Sequence, residues 1–186
     1  MRIVGGSLRG RGLAGPRSDA IRPTSDRLRE AVFNVLAHAY DDPVAGARVL
    51  DLFAGTGALA CEALSRGATF ALLVDEGAEA RGVIRANVEA LGLEGVTRLF
   101  RRDATRLGPA PPGEPFGLVF CDPPYSRELA PRALGAAGKG GWLAPDALAV
   151  VEEEASAALA PPDGFSELER RTYGDTQVAF WRFTSA

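Results

Sequence analysis

The stretch Val49-Leu50-Asp51-Leu52-Phe53-Ala54-Gly55-Thr56-Gly57-Ala58-Leu59-Ala60 decides the fold. An apolar run of strand length gives way to two glycines one residue apart, and then to residues that favour a helix. Gly55 and Gly57 let the chain turn sharply and let a ligand approach the backbone. The start of the following helix offers N–H groups to a carboxylate or a phosphate. A strand, a glycine turn and a helix in this order open a βαβ unit.

The alternation continues downstream. Strands are expected at 48–53, 70–74, 96–101, 117–121 and 147–152. Between them lie a helix at 58–66 closed by Gly67, one at 79–91 stopped by Gly92, and a short one at 128–137. Residues 167–173 and 177–183 flank Gly174-Asp175 as an antiparallel hairpin. Strands alternating with helices predict an α/β fold, a doubly wound and mostly parallel seven-stranded sheet with an antiparallel C-terminal hairpin.

Upstream, residues 1–45 read as an extension to a main domain at 46–186. Met1 to Leu13 mixes short β-like pieces with glycine and arginine, and is expected as a small hairpin or arm outside the main core. Thr24, Ser25 or Asp26 can cap a following helix. Leu28, Ala31, Val32, Val35, Leu36 and Ala39 then recur at helical spacing.

A chain of 186 residues suits one domain with a real core, and its ordinary apolar fraction marks a globular protein. The net charge of −3 argues against a generic polyanion binder. Its distribution is uneven, however: seven arginines stand against three acids between Met1 and Ala39. Cys61, Cys121 and the single His38 cannot make up a zinc set, so no metal is expected and the cysteines read as small core residues. No signal peptide or membrane-length apolar run is visible, which makes the cytoplasm the expected compartment and a monomer the default.

In an open parallel sheet, ligands collect at the carboxyl ends of the strands. Asp51, Asp75, Asp103 and Asp122 fall within or just after four successive strands, which is specific as a set. Asp75, twenty positions after Gly55, is placed to hold ribose hydroxyls. Gly55-x-Gly57-x-x-Ala60 also satisfies a loose dinucleotide fingerprint. Asp51 argues against that rival, because an acid there repels a pyrophosphate but can meet the ammonium of an amino acid. So does Asp122-Pro123-Pro124-Tyr125, which has no role in hydride transfer. Taken alone, this tetrapeptide divides evenly between a Pro-Pro turn with an Asp cap and a clamp for the exocyclic amine of a nucleobase.

Asp51 to Gly57 and Asp122 to Tyr125 resemble the cofactor and target-base motifs of S-adenosylmethionine-dependent amino-methyltransferases. Arg9-Gly10-Arg11, Arg22-Pro23-Thr24-Ser25-Asp26-Arg27 with Glu30 and Phe33-Asn34, Glu62 to Gly67, and Tyr173-Gly174-Asp175-Thr176 narrow the likeness. Nearly end to end, the chain resembles the RsmD family, bacterial methyltransferases acting on a guanine N2 of small-subunit ribosomal RNA.

The resemblance implies a Rossmann-like class I methyltransferase fold and a set of roles. Phe53, Ala54, Gly55, Thr56 and Gly57 would cradle the methionine part of S-adenosylmethionine, with Asp51 near its ammonium. Asp75, assisted by Glu76, would take the ribose; Asp103 would accept from the adenine amine and the Ala104 N–H would donate to its ring. Asp122 and the Pro123 carbonyl, preset with Pro124, would hold the target amine, and Tyr125 would stack on the base. Arg2, Arg9, Arg11, Arg22, Arg27 and Arg29 would meet RNA phosphates. The segment Arg22-Pro23-Thr24 has a second possible role in closing over the cofactor. Asn87, on the apolar stripe of its helix, is expected to pack rather than to react.

Two other readings use the same residues. An adenine-N6 methyltransferase on DNA or RNA shares Asp-Pro-Pro-Tyr, and mapping the methylated product separates it. A non-catalytic module binding ribosomal RNA during assembly would not need the four acids, and S-adenosylmethionine affinity separates that one.

Overall fold

The computed structural model describes residues 1–125 and 127–184. Its strands are β1 (Arg48–Leu52), β2 (Phe70–Val74), β3 (Thr97–Phe100), β4 (Phe116–Cys121), β5 (Leu143–Glu154), β6 (Phe165–Tyr173) and β7 (Thr176–Phe183). Its helices are α1 (Asp26–Ala39), α2 (Ala58–Ser65), α3 (Ala78–Ala90) and α4 (Leu129–Lys139). The strands form one sheet in the order β3-β2-β1-β4-β5-β7-β6, with only β7 antiparallel to β5 and β6 antiparallel to β7. This is the class I methyltransferase architecture the sequence leads one to expect. Strand order reverses between β1 and β4, so a ligand crevice opens at their carboxyl ends.

The apolar runs of the central strands are buried on both faces, as a covered parallel sheet requires. Leu50, Leu52, Val74, Val119 and Val151 face α4 through Ala130, Ala133, Leu134 and Ala137. Val49, Leu73, Phe120, Val150 and Phe180 face the other side, where they meet Val32, Phe33 and Leu36 of α1, Ala60 and Ala63 of α2 and Ile84 of α3. Helix α1 therefore belongs to the core of the main sheet, and the boundary at residue 45 separates no second core. Ser25 caps α1, accepting the Leu28 N–H at 3.1 Å.

The N-terminal arm packs in an apolar cluster of its own, apart from the two faces of the sheet. Arg2 and Gly12 bridge antiparallel, and Ile3 and Leu13 are buried with Ala58, Cys61 and Leu91 in a third apolar cluster. Its backbone is tied down by α2: Glu62 accepts the N–H groups of Val4 and Gly5 at 3.0 and 2.9 Å, and Ser65 accepts that of Leu8 at 2.9 Å. Alternating Gly and Arg conceals this docking, because the anchors are backbone groups.

β5 starts earlier than the expected 147. Its pairing with β4 shifts between Phe116 and Leu118, and Asp146 takes a φ of 62°. Pro145-Asp146 reads as a turn in sequence, yet here it forms an irregularity inside a strand. At the other end of the chain, Tyr173 pairs with Thr176 around a two-residue turn in which Gly174 has a φ of 58°. An L side chain rarely adopts that φ, which accounts for the glycine. Among the described residues no helix is long and apolar enough to cross a membrane.

Candidate active site

A cavity of about 750 Å³ opens over the carboxyl ends of β1, β2 and β4 and over the loop after β3. Phe53, Ala54, Gly55 and Thr56 line it from β1, Asp75 and Glu76 from β2, and Asp103 and Ala104 from the β3 side. Asp122, Pro123, Pro124 and Tyr125 close it from β4. Almost every strand-end residue singled out by sequence therefore reaches one space. Its size and its mixture of acids and apolar wall suit a nucleoside bearing an amino-acid chain.

The glycine turn is held by the acids around it. Phe53, Gly55 and Gly57 all adopt left-handed φ values of 57°, 61° and 79°. Asp75 accepts the Gly55 N–H at 3.0 Å with one oxygen and the Gly77 N–H at 2.9 Å with the other. It thus latches the β1 turn to the start of α3, and each oxygen retains a lone pair for a hydroxyl. Glu76 beside it is exposed at the cavity rim. Asp103 accepts from the Thr105 N–H and hydroxyl at 2.9 and 2.8 Å through a single oxygen. These bonds hold its carboxyl below the usual range, against the opposing effect of burial, so it is an anion with its other oxygen uncommitted.

Asp51 departs from its expected place. It does not line the cavity. It is buried behind the turn, where it accepts the Ala60 N–H at 3.2 Å. Burial pushes its carboxyl well above the usual range, reinforced by Asp122 and Asp75. Its residue parity explains this, since Asp51 shares the strand face of Val49 and points beneath α2. It positions the turn and does not reach the cavity. The helix start is likewise less open than its sequence implies, because the Thr56 hydroxyl accepts the Ala58 N–H at 3.3 Å.

Asn87 joins three pieces as a packing residue. Its amide donates to the carbonyls of Thr56 and Ala14 at 2.8 and 3.1 Å and accepts the Ala14 N–H at 2.6 Å.

Where Asp122 and Tyr125 line the cavity, charged side chains gather. Asp122 accepts from Arg22 Nη2 at 2.8 Å on one oxygen and from the Thr24 hydroxyl at 3.1 Å on the other. Arg22 Nη1 lies 3.2 Å from Glu152, and its Cζ sits 3.6 Å from the centre of the Tyr125 ring. The Tyr125 hydroxyl is 2.8 Å from that of Thr176 at the start of β7. Burial raises the Asp122 carboxyl above its ordinary range, while Arg22 and Thr24 pull it down. Burial and the adjacent Asp122 push Glu152 up to about 8.

The arginines of the extension divide. Arg2, Arg9, Arg11 and Arg27 are exposed and fit the expectation of a cationic surface. Arg22, also exposed, instead bridges Asp122 and Glu152 at the cavity. Arg29 is a correction: it has no solvent exposure, pairs with Glu62 at 3.1 Å and Asp26 at 2.8 Å, and cannot meet a phosphate. An i, i+4 reading of α1 places Arg29 next to the apolar stripe, and only its partner on α2 reveals it as a buried pair. Glu152 and Thr24 are site residues that sequence reasoning missed. Glu152 carried a usable signal, since the fifth strand expected from sequence ends on it, as the fourth leads into Asp122.

Over residues 1–182 the chain matches the family described as Conserved hypothetical protein 95. It is 40% identical over 159 residues to "Ribosomal RNA small subunit methyltransferase D" of Escherichia coli (strain K12), covering 86% of this chain and 77% of that protein. Identity to Bacillus subtilis (strain 168) YlbH is 34% over 185 residues, 98% of each chain. Among solved structures, Escherichia coli yhhF superposes with a TM-score of 0.83 at 33% identity, covering 100% of this chain and 99% of that one. Fold, strand-end acids and end-to-end similarity agree, and the chain belongs to the RsmD family.

Proposed function

We propose that this protein is an S-adenosylmethionine-dependent methyltransferase that modifies the exocyclic N2 of a guanine in small-subunit ribosomal RNA. The observation that carries the reading is Asp122, which follows β4 with a side chain only 10% exposed and lines the cavity together with Tyr125. The relatives named for small-subunit ribosomal RNA methylation support the RNA substrate.

The residues present fit the cofactor. Phe53 to Thr56 would hold its methionine part, Asp75 and Glu76 its ribose, and Asp103 with the Ala104 N–H its adenine; Gly57 lies outside the cavity lining, next to Leu73 and Ile84. When bound, S-adenosylmethionine supplies an electrophilic methyl group on a sulfonium. The amine of guanine is a poor nucleophile, because its lone pair is delocalised into the ring. Asp122 accepts one N–H of that amine and the Pro123 carbonyl the other, which would hold the nitrogen with its lone pair directed at the methyl group. Holding the nitrogen in this attitude lowers the entropic part of the barrier. The Asp122 carboxylate also stabilises the positive charge that builds on nitrogen, and it takes the proton that nitrogen releases. Thr24, bonded to the second oxygen of Asp122, fixes the plane of the carboxylate. Tyr125, itself fixed by Thr176, offers its face to the ring.

A guanine in a stack cannot reach this cavity, so the target is an unstacked or loop nucleotide. Arg2, Arg9, Arg11 and Arg27 supply phosphate contacts beside it. The test is mapping the product formed on small-subunit particles and on DNA. N2-methylguanine in small-subunit RNA is the expected product, and N6-methyladenine in either nucleic acid would overturn the assignment.

A further inference from the structure

Asp122 is one of two carboxyls at the target-base end. Cys121 and Val151 are paired across β4 and β5, so the next residues on the two strands, Asp122 and Glu152, stand side by side. The charge of Asp122 raises the Glu152 carboxyl, and both are nearly excluded from solvent, with side-chain exposures of 10% and 7%. A second buried acid is costly in such a place unless something engages it. The methyl-transfer step needs only one acceptor carboxylate. Glu152 is therefore left without a role in that step.

Arg22 shows what the pair accepts. Its guanidinium gives one nitrogen to Asp122 at 2.8 Å and the adjacent nitrogen to Glu152 at 3.2 Å, and lies 3.6 Å over the Tyr125 ring. Guanine carries the same chemical unit. Its N1–H and N2–H2 are two donors on one carbon, a guanidine fragment built into a flat ring. Laid where the Arg22 guanidinium lies, guanine places N2 against Asp122, N1–H against Glu152 and its ring on Tyr125. Adenine cannot copy this, because its N1 carries a lone pair where guanine has a hydrogen.

Resting on the guanine-N2 reading above, we propose that Glu152 is the specificity-determining residue of this site, accepting the guanine N1–H while Asp122 holds the amine that is methylated. Arg22 occupies the base's position in the free protein and is displaced when the base arrives. A glutamic acid that retains its proton offers its carbonyl oxygen to N1–H and its hydroxyl to the guanine O6, so either protonation state accepts N1–H. A raised Glu152 carboxyl is in keeping with this pairing.

The test compares methyl transfer to RNA carrying guanine, or 2-aminopurine, at the nucleotide that the wild-type enzyme methylates. The RNA is supplied as naked small-subunit RNA and as reconstituted particles. 2-Aminopurine keeps the N2 amine and lacks N1–H. Wild-type enzyme should prefer guanine, and Glu152→Ala should lower kcat/KM on guanine by about 10- to 100-fold. The same variant should leave transfer to 2-aminopurine within about twofold, collapsing the preference. Glu152→Gln keeps an acceptor oxygen and the shape of the side chain, and should keep the preference. Calorimetry with S-adenosylmethionine verifies that each variant still binds cofactor. An equal loss on both bases, no loss on guanine, or a Gln variant without preference overturns the role of Glu152. Wild-type enzyme that forms no N2-methylguanine overturns the functional reading itself, before any Glu152 variant is compared.

Discussion

Arg29 of α1 and Glu62 of α2 lie 3.1 Å apart, and neither side chain has any exposure to solvent. Glu62 also accepts from Arg66 at 2.9 Å and from the backbone of Val4 and Gly5. Arg29 in turn donates to the carbonyls of Arg2 and Thr24. One buried pair thus joins the N-terminal arm to α1 and α2, and fixes the residue that holds Asp122 from below.

Breaking this pair should cost more than a surface ion pair. Arg29→Ala leaves the buried Glu62 with Arg66 alone, and Glu62→Ala leaves the buried Arg29 with Asp26 alone, each a loss of up to about 3–5 kcal/mol. Urea unfolding with a wild-type m-value would measure it. The double variant should lose less than the sum of the two singles, because the second change removes the stranded charge. Strict additivity would show that the pair is not coupled.

Asp122 and Asp75 should fail differently. Asp122→Ala is expected to cut methyl transfer by at least about 100-fold while leaving S-adenosylmethionine affinity nearly intact. Asp75→Ala frees the Gly55 and Gly77 N–H groups and removes the ribose acceptor, so it should weaken cofactor binding by about 1.5–3 kcal/mol. Calorimetry and single-turnover transfer separate the two. Wild-type turnover in Asp122→Ala would show that this carboxyl does not hold the reacting amine.

Tyr125 and Thr176 form a graded pair. Tyr125→Ala should cost about 1–3 kcal/mol in kcat/KM, the worth of one base stack. Thr176→Val removes only the hydroxyl that orients the ring and should cost about 0.5–1.5 kcal/mol. Equal losses from the two would mean that Tyr125 acts through its hydroxyl and not its face.

Stability of the free protein should carry the signature of Glu152. Its carboxyl is pushed up to about 8 by burial first and by Asp122 second, from an ordinary value near 4.5. The folded state therefore binds a proton that the unfolded chain releases. That contribution is fully present below about pH 4.5 and is lost as the pH rises to about 8. Glu152→Gln removes this titration, so its unfolding free energy should fall less over that window than that of the wild type. Parallel curves for the two proteins would assign the slope to other groups.

Salt dependence should distinguish the arginines. Removing Arg9 or Arg11, both exposed, should reduce the slope of log K against log[salt] for RNA binding by about 0.7–1 each. The slope for Arg22→Ala should fall less, since Arg22 must give up its pairs with Asp122 and Glu152 before it can meet a phosphate. Filter binding at several salt concentrations would read both.

The alternation of apolar strands with amphipathic helices, the glycines of the β1 turn and the acids at strand ends were all legible along the chain. They depend on spacing over a few residues, and local periodicity sets which way those residues face. The cavity could be inferred for the same reason, because parallel strands bring their carboxyl ends to one edge. What lay beyond that reach was pairing. Arg22 meets Asp122 and Glu152 across 100 and 130 residues, and its own segment, Arg22-Pro23-Thr24, left it between RNA contact and closing over the cofactor without showing either partner. Arg29 is buried only because Glu62 of another helix faces it, and Asp51 is hidden only because α2 lies across it.

Charge and residue type are properties of the chain by itself, so the sequence alone determined the sheet, the glycine turn and the acids at the strand ends. Burial and partnership belong to surfaces that exist only once distant segments pack. The tertiary structure alone therefore decided which arginine guards the site, which acid positions the turn, and that a second carboxyl stands beside Asp122.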